Sequence, residues 1–597
     1  MIKFLGLCVF GLIMAIASVA VAVQPLFVAY PPANHKTTAD RIFFIGTAPA
    51  TGEVLVNGNQ ISRTAVGHFA PTFPLQLGEN LFTLRYENQE VKIKVTRESN
   101  QPVAPVGLAF AKDSLTPKVD VASLPGEYIC FGAIAPANAQ VSVKLAGVTI
   151  PLKARSQVEL PDNASVLLDA NSPIKKGGSQ QYQGCGKTPE NALSSKEETV
   201  DLGVPSFELT MNGQTISQQG TGKISILSPA DLEIAEVTAD PGVARTGAST
   251  DFSRMTPLPK GTRATIIGRE GEWLRLDYGA WIKASEVRIV KDTVPPRSII
   301  RSASSRQVSG WTEVLFPLET PVPVTVQEGE RTFTLTLYNT TAQTDIIRLS
   351  DDPVISRLEW QQIAPLQVQY TFNLKSAQQW GYKLRYEGTT LVLSLKNPPA
   401  NTSMTPVSQA KPLSGIKILI DAGHGGPEDG GAVSPVGIRE KTVALTVSKL
   451  VQEELVNRGA NVLMTRVEDV DLDLPPRVEM IQKEEPAIAI SIHYNALPDN
   501  GDAINTKGVG AFWFHPQAHS LAMFLHNYLV ANLNRPSYGV FWNNLAMTRP
   551  AVTPSVLMEL GFMINPEEFE WIVNPTEQKK LAEAIAQGVT EWFASVK

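Results

Sequence analysis

Two histidines and a glutamate in the C-terminal third of the chain have the side-chain chemistry of metal ligands. His424 stands in the stretch Asp421-Ala-Gly-His-Gly-Gly, and His493 ends a later apolar run. Both histidines therefore follow sequences typical of buried strands, whose carboxyl ends gather ligands and catalytic groups in open α/β sheets. Glu440 lies between them in the chain, at the predicted start of a helix. Two histidines and one carboxylate, with a fourth position open to water, form the ligand set of a catalytic zinc site.

Two glutamates in this region each admit a second interpretation. Glu440 could stand at a helix start simply because a carboxylate favours the positive end of the helix dipole. Glu559 follows the apolar run 555–558, so its side chain should open at the same sheet edge as the histidines. A carboxylate that does not bind the metal can take a proton from water there and deliver it to a leaving nitrogen. The alternative for Glu559 is a surface carboxylate at a strand end.

His515 and His519 form a rival pair of potential ligands. Their spacing fits one face of a helix, with His526 one position off the repeat. No glutamate follows His515 as a peptidase signature requires, and Pro516 indicates that a helix is only beginning there. A metal site at this pair is therefore disfavoured, although His515 could line the cleft from its strand end.

The elements that must position these residues belong to an α/β pattern. From Lys417 onward, apolar strand-like runs alternate with helical patterns, which predicts a parallel or mixed sheet covered by helices. A helix is predicted over 442–458, because apolar residues recur at helical spacing and Gly459 suits the end of a helix. Further elements are predicted as strands at 461–465, 487–492, 509–514 and 555–560 and a final helix at 577–594.

Residues 415–597 resemble the zinc-dependent N-acetylmuramoyl-L-alanine amidases of the family called amidase type 3. Five motifs in the family's order carry the resemblance: Asp421-Ala-Gly-His-Gly-Gly, Gly437-Ile-Arg-Glu-Lys, Thr465-Arg, Ser491-Ile-His-Tyr-Asn-Ala and Val556-Leu-Met-Glu-Leu-Gly-Phe. The resemblance implies an α/β fold and hydrolysis of the amide that joins N-acetylmuramic acid to L-alanine. It also implies that Zn2+ binds His424, Glu440 and His493, and that Glu559 is the catalytic carboxylate.

The resemblance leaves the roles of three polar residues open. Arg466 and Arg477 occupy positions like those of family arginines, and they could be structural ion-pair partners or substrate contacts. Asn495 could hold the loop beside His493 or contact substrate. Some family members carry a long helical insertion after the second zinc histidine, which blocks the site until an activator binds. Only residues 495–508 separate His493 from the next predicted strand, so no gating helix and no helix-gating activator are expected.

The N-terminal two thirds of the chain are predicted to be β structure. Residues 26–97 show short alternating segments with turn residues between them, and Asn57-Gly58 is a hairpin signal. This pattern predicts an immunoglobulin-like domain. Residues 103–230 are expected to form a second β-rich domain, interrupted by a polar loop at 175–198.

Two further modules are identified by resemblance. Residues 232–291 resemble the bacterial SH3-like module through stretches such as Gly271-Glu-Trp-Leu-Arg-Leu. Such modules bind wall components or peptides, and the alternative is a spacer without a ligand. Residues 298–398 look like an AMIN domain, a β-sandwich that targets envelope proteins to peptidoglycan. A proline-containing linker at 399–414 leads to the catalytic segment 415–597, and this domain order is similar to that of cyanobacterial wall amidases.

Length and charge limit the functions that the chain can have. With 597 residues it is too long for a single hydrophobic core, so several domains are expected. The net charge is −6, and residues 415–597 carry 22 acidic and 14 basic side chains. Bulk attraction to polyanions is therefore excluded as the mode of recognition, and no nucleic-acid partner is expected.

The N-terminus predicts export from the cytoplasm. An apolar run from Phe4 to Val23 ends in the small-residue pattern Ala20-Val-Ala, which predicts a signal peptide at 1–22. The alternative is an uncleaved anchor, since ~20 apolar residues can span a bilayer. After cleavage, Cys130 and Cys185 remain and could form a disulfide or stay as two buried thiols. The mature protein is expected to be periplasmic or otherwise extracytoplasmic and associated with the wall, without stable membrane insertion.

These inferences predict a secreted zinc amidase whose partner and substrate is peptidoglycan, with a role in wall remodelling or daughter-cell separation. One alternative is another zinc-dependent wall hydrolase, such as a peptidase or a deacetylase. The other is a catalytically inactive wall-binding protein, which the four filled positions of the catalytic motifs disfavour.

Overall fold

The computed structural model describes residues 25–99, 105, 107–155, 158–168, 172–175, 180–189, 199–230, 232–292, 294–399 and 411–596. The predicted signal peptide at 1–22 lies outside these residues. So do most of the predicted linker at 399–414 and more than half of the predicted polar loop at 175–198.

Residues 27–97 form short strands around an aromatic core. Asn57 and Gly58 both adopt positive φ angles, 49° and 85°, at the turn of a two-strand hairpin, so the predicted hairpin is confirmed. Phe44 packs edge-on against Phe82 in the interior, with ring centroids 4.9 Å apart. The strands of this region are Phe27–Tyr30, Asn34–Thr37, Arg41–Phe43, Ile45–Thr47, Val54–Val56, Asn59–Gln60, His68–Phe69, Thr72–Pro74, Gly78–Tyr86 and Gln89–Arg97.

The next region contains a six-stranded antiparallel sheet. Cys130 and Cys185 face each other on adjacent strands and are joined by a disulfide, the option that sequence alone left open. In spatial order the strands are Tyr128–Ala135, Gln180–Lys187, Val148–Arg155, Gln140–Leu145, Ser206–Met211 and Gln214–Gln219. A short pair, Val158–Glu159 and Ile174–Lys175, and a 3-10 turn at Ser165–Leu168 complete this region.

An eight-stranded sheet continues across the boundary between the predicted modules 103–230 and 232–291. The strand Val121–Ser123 pairs on one side with Ile224–Leu227 and on the other with Arg263–Glu270. The two predicted modules therefore share backbone hydrogen bonds. The remaining elements are Thr199–Gly203, Leu232–Val237, Trp273–Leu276, Trp281–Lys283 and Val287–Asp292, with a 3-10 turn at Ala284–Glu286.

Residues 298–396 form two sheets that enclose one core. Strand Gln367–Leu374 alternates between half-buried and fully buried residues, as expected for a strand with one face toward a core. Phe316 from one sheet contacts Tyr370 from the other, with ring centroids 4.8 Å apart. One sheet contains Thr340–Arg348, Ser298–Val308, Trp311–Pro317, Thr390–Lys396 and Tyr382–Glu387; the other contains Val324–Glu328, Thr332–Tyr338, Gln367–Leu374 and Ile355–Ala364.

The C-terminal segment is an α/β unit with a mixed six-stranded sheet, so the predicted α/β fold is confirmed. Its strands are β1 (Lys417–Ala422), β2 (Asn461–Met464), β3 (Ile488–Asn495), β4 (Val509–Trp513), β5 (Ser537–Trp542) and β6 (Ser555–Phe562). Its helices are α1 (Glu440–Asn457), α2 (Leu474–Glu484), α3 (Pro516–Leu533), α4 (Pro566–Ile572) and α5 (Pro575–Ser595), with a 3-10 turn at Ala546–Thr548. Strand β5 and helices α2 and α4 were not predicted from the sequence.

The sheet order places the carboxyl ends of β1, β3 and β6 side by side. The order is β2-β1-β3-β6-β4-β5, and β1, β2, β3 and β6 run parallel. Strand β4 runs antiparallel to β6, so its carboxyl end lies at the opposite edge of the sheet. These strands are apolar along most of their length because helices cover both faces of the sheet.

The β regions pack directly on the α/β unit. Trp380 stacks on Phe593 of α5, with ring centroids 5.9 Å apart, and is 3% exposed. On another side, Phe43 and Ile45 share a buried cluster with Phe562 at the end of β6. These contacts bury apolar surface of the α/β unit that would otherwise meet water.

None of the helices in the described ranges is long and apolar enough to cross a membrane.

Candidate active site

His424 projects from the glycine turn after β1. Its φ angle is 57°, a left-handed conformation that is uncommon for residues other than glycine and requires support from the surrounding structure. The ring Nδ1 lies 2.6 Å from Oδ1 of Asp429, which leaves Nε2 to face Glu440 Oε2 at 3.1 Å. Asp429 thus orients the imidazole from behind.

Two buried arginines hold the backbone of this turn. Arg466 donates to the carbonyl oxygens of Ala422 and Gly423 at 2.9 and 2.8 Å. Arg477 donates to the carbonyl oxygen of His424 at 2.6 Å and to the Asp421 carboxylate at 2.8 Å. Both side chains are 3% exposed, so their guanidinium groups support the loop from inside the fold.

Asp421 is the buried anion at the centre of this support. Burial alone would raise the pKa of its carboxyl, but the Arg477 charge and the Ser491 and Thr465 hydroxyls lower it overall. Asp421, the first residue of its motif, therefore stabilises the end of β1 and is not one of the potential metal ligands.

Glu440 is the first residue of α1 and is 3% exposed. Its Oε1 lies 3.0 Å from Nδ1 of His493 and accepts the backbone N–H of Tyr494 at 3.0 Å. Its Oε2 accepts the backbone N–H of Ala432 at 2.9 Å. A carboxylate placed only to favour a helix dipole would face solvent, whereas this one points inward between two imidazoles.

His424, Glu440 and His493 form a potential metal site. One ligand atom from each residue lies within 4.8 Å of the others, and within the described ranges they are the residues that meet this criterion. Two glycines leave room for the cluster: a Cβ at Gly423 would come within 2.4 Å of the His493 ring, and one at Gly431 within 2.5 Å of Glu440 Oε2. Two imidazoles and one carboxylate converging on one point are the donor set that suits zinc.

The charges of the cluster are strongly coupled. Burial alone would lower the pKa of His424, but Glu440 and Asp429 raise it to about 9. Burial alone would raise the pKa of Glu440, but the hydrogen bonds of the two histidines hold it below its ordinary value. Without a metal ion, Glu440 therefore forms an ion pair with His424, and its carboxylate is hydrogen-bonded to both imidazole rings.

Glu559 stands beside this cluster on β6. It lies opposite His493 in the parallel register of β3 and β6, and adjacent strands are roughly 4.8 Å apart. Its Oε2 is buried and has no hydrogen-bond partner among the described residues. Burial, followed by the negative charge of Glu440, raises the pKa of Glu559 well above its ordinary value. Glu559 therefore holds a proton more readily than an exposed glutamate does, and one of its carboxyl oxygens is unsatisfied among the described residues.

Other candidate residues lie in different places. Asn495 accepts the N–H of Ala496 through its side chain and the N–H of Met563 through its carbonyl, so it contributes to holding the loop. His515 follows the carboxyl end of β4 and therefore lies at the opposite sheet edge from Glu559, away from the cluster. His519 packs on Trp513, with ring centroids 4.7 Å apart, and neither histidine joins a described potential metal site.

Asp429 is the functional candidate that sequence reasoning missed. It lies in a loop rich in glycine and acidic residues, five positions after His424, and its side chain is 64% exposed. An exposed aspartate before a glycine is a common turn signal, so only the folded loop reveals its contact with the imidazole.

The site belongs to a segment with known relatives. The profile of the N-acetylmuramoyl-L-alanine amidase family matches residues 418–591. The germination-specific N-acetylmuramoyl-L-alanine amidase of Bacillus subtilis (strain 168) is 34% identical over 199 residues, which are 30% of this chain and 81% of that protein. The probable cell wall amidase LytH of Staphylococcus epidermidis is 32% identical over 200 residues, or 33% of this chain and 64% of that protein. Among solved structures, the amidase AmiC2 of Nostoc punctiforme shows 30% identity over 30% of this chain and 99% of that one, with a TM-score of 0.29.

The similarity to the Bacillus enzyme covers most of that enzyme's length, and the family profile spans the strands and helices that carry the cluster. The chain therefore belongs to the N-acetylmuramoyl-L-alanine amidase family and is a peptidoglycan hydrolase that cleaves the amide between N-acetylmuramic acid and L-alanine.

Proposed function

We propose that this amidase works with Zn2+ held by His424, Glu440 and His493, and that Glu559 transfers the protons. The observation that carries the proposal is the convergence of the three potential ligands within 4.8 Å, with Glu559 in register beside His493. When bound there, Zn2+ lowers the pKa of a bound water to ~7 and polarises a carbonyl oxygen.

The protein's own groups then prepare the reaction. Asp429 accepts a hydrogen bond from the Nδ1–H of His424, so the Nε2 atom is directed toward Glu440. Glu559 accepts a proton from the attacking water at its unsatisfied Oε2 and donates it to the leaving nitrogen of L-alanine. Its weakly solvated surroundings increase its basicity, which favours the first of these transfers.

Mass spectrometry of digested peptidoglycan tests both parts of the proposal. Wild-type protein should release stem peptides with a new amino terminus on alanine, and Glu559→Ala should release none while retaining one zinc per chain. Glu583→Ala is a matched control, because Glu583 is exposed on α5 and far along the chain from the cluster. Release of acetate or cleavage inside the stem peptide would indicate a deacetylase or a peptidase. Activity that survives complete removal of zinc would contradict the metal assignment.

We infer further that the enzyme acts without a gating helix. Residues 496–508 contain turns and no helix. Instead, Asp499 in this loop contacts His35 at 2.9 Å and the Tyr30 hydroxyl, both from the first β region. Full-length protein should therefore digest purified peptidoglycan without a protein activator. An absolute requirement for such a partner would refute this inference.

The place of action is proposed to be the cell wall, outside the cytoplasm. Its support is the predicted signal peptide at 1–22 together with relatives whose names describe cell wall amidases. The β modules at 26–97, 103–230, 232–291 and 298–398 then hold the enzyme on peptidoglycan during wall remodelling or daughter-cell separation. Cell fractionation and sedimentation with purified wall sacculi test this placement, and a cytoplasmic protein that does not sediment would contradict it.

A further inference from the structure

A cavity of about 710 Å3 lies where three parts of the chain meet. Its walls come from residues 241–257, from residues 325–382 and from the α/β unit around residues 514–516 and 546–550. The cavity and the metal centre lie near opposite ends of strand β4. Gly510 lies opposite Glu559, whereas Phe514, which lines the cavity, is four residues further along the chain, or roughly 13 Å from Gly510. The cavity is therefore distinct from the active site.

Two guanidinium groups reach this cavity, and among the described residues no carboxylate is hydrogen-bonded to either of them. Arg254 and Arg549 both line it, and within the described ranges neither side chain has a hydrogen bond or an ion pair. The Nε atom of Arg549 is buried and has no hydrogen-bond acceptor within the described residues. Burial, and then the charges of Arg254 and Arg245, lower the pKa of Arg549 to about 10. Both side chains are half-buried, so a guanidinium group that no anion is hydrogen-bonded to is only partly solvated, and the pair has unused capacity to bind a negative group.

The neighbouring charged groups do not fill this capacity. Arg245 already donates to the carbonyl oxygens of Thr250 and Phe252, both at 2.7 Å. Glu286 is close enough to raise the pKa of Arg254, against the larger lowering by burial and Arg245, but its Oε2 accepts the backbone N–H of Val243. Among the described residues, the guanidinium groups of Arg254 and Arg549 therefore keep N–H donors that no hydrogen bond uses.

Glu328 supplies a complementary group in the same cavity. Its side chain is 4% exposed, and its Oε1 lies 2.9 Å from Nδ1 of His515. Its Oε2 is buried, and no donor in the part of the chain that the structure describes hydrogen-bonds to it. A buried carboxylate oxygen without a donor is rare in folded proteins, and it can accept an N–H from a ligand.

The remaining lining is largely apolar, with Met255, Val326, Tyr382 and Phe514 among the wall residues. Such walls disfavour a small, strongly hydrated anion such as inorganic phosphate, because it has no apolar part to contact them. A ligand with a carboxylate, a neighbouring amide N–H and a short aliphatic side chain would complement the two arginines, Glu328 and the apolar wall, respectively. This combination is the chemistry of a peptide's C-terminal end.

We propose that this three-part cavity binds the C-terminal end of a peptide, with its carboxylate on Arg254 and Arg549 and an amide N–H on Glu328. The ligand has two possible sources. Wall stem peptides end in D-amino acids, whereas the tails of proteins end in L-amino acids. Because the cavity joins the region 232–291 to the α/β unit, a bound peptide would connect a binding module to the catalytic unit.

Calorimetric titration of the full-length, zinc-loaded protein tests the proposal. The probes are N-acetyl-D-alanyl-D-alanine, N-acetyl-L-alanyl-L-alanine, the C-terminal amide of each and inorganic phosphate. We expect a free-acid peptide to bind at least roughly tenfold more tightly than its amide, since a charge-assisted hydrogen bond is lost. Preference for the D or the L peptide identifies the source. Equal binding of acid and amide, binding of phosphate alone, or no binding of any probe would overturn the proposal.

Variants connect the binding to the named side chains. Arg254→Gln combined with Arg549→Gln should weaken peptide binding by roughly tenfold or more, while hydrolysis of a small soluble muropeptide stays unchanged. Arg288→Gln is the control for each single replacement, because it removes one positive charge from an exposed arginine of the 232–291 region. Thermal unfolding verifies that each variant is folded. If the double variant is folded and binds peptide like wild type, the assignment is wrong.

Discussion

Replacing Asp429 with asparagine tests how a loop carboxylate controls a metal ligand. Asp429 accepts a hydrogen bond from Nδ1 of His424 at 2.6 Å, which orients the ring and increases the basicity of Nε2. Outer partners of this kind contribute roughly 10- to 100-fold to metal affinity or activity. At high pH, where protons do not compete, we therefore expect Asp429→Asn to bind zinc roughly 10- to 100-fold more weakly than wild type.

The difference should depend on pH, with a sign set by the pKa of His424. In the metal-free protein this pKa is raised to about 9, with burial opposing and Glu440 and Asp429 causing the rise. Zinc must displace that proton, so wild-type affinity should fall about tenfold for each pH unit below 9. Asparagine removes one of the two carboxylates, which lowers the pKa and weakens proton competition. The advantage of wild type should therefore shrink as the pH falls.

Zinc affinity measured by chelator competition, between about pH 6.5 and 9.5, checks both expectations. Asp345→Asn is the control, because Asp345 is an exposed aspartate in the region 298–398. Two results would refute the reasoning: an Asp429→Asn variant with wild-type affinity at high pH, or wild-type affinity that does not change with pH below 9.

Four further predictions concern stability. Arg477→Met should lower the free energy of unfolding by about 3–5 kcal/mol, because it leaves the Asp421 carboxylate buried without its ion-pair partner. Cys130→Ser combined with Cys185→Ser should lower it by about 4 kcal/mol, the chain-entropy value for a 55-residue separation. Trp380→Ala should lower it by about 3–5 kcal/mol, since the indole is fully packed against α5. In the metal-free protein, the His424 ion pair should stabilise the fold fully below about pH 6.5, and this contribution should be lost as the pH rises through about 9.

Denaturant unfolding monitored by circular dichroism measures the free energy of unfolding of the three variants. Thermal unfolding at a series of pH values measures the pH dependence of the stability of the metal-free protein. Arg357→Met and Trp542→Ala are controls, because both side chains are exposed. The double cysteine variant is compared with reduced wild type, which should show the same loss. Unchanged unfolding energies in Arg477→Met or Trp380→Ala would contradict the packing argument. Metal-free protein that gains stability between pH 7 and 9 would contradict the ion-pair assignment.

The Trp380 contact also bears on how the catalytic segment should be studied. Residues 411–596 alone would expose the surface of α5 that Trp380 covers and the Phe562 surface that Phe43 and Ile45 cover. Activity assays on the full chain avoid that exposure.

The sequence by itself determined the catalytic elements and their order. Apolar runs before His424 and His493 identify buried strands, because only helix-covered parallel strands are apolar on both faces. The polar residue that ends such a run must lie at the sheet edge, so both histidines and Glu559 could be placed together before any contact was known. The hairpin turn at Asn57-Gly58 was also predictable from the sequence, since it depends on local φ angles alone.

Only the tertiary structure decided the contacts between residues distant in the chain. Arg466 and Arg477 had two open roles until the fold showed their guanidinium groups bound to the turn that carries His424. The contact between Asp429 and that imidazole, and the meeting of Arg254 with Arg549, leave no periodic trace in the sequence. Local patterns report which face of an element is buried, whereas the partner across an interface depends on how whole elements pack. For this amidase, the strand ends were therefore predictable, and the loop supports and the three-part cavity were not.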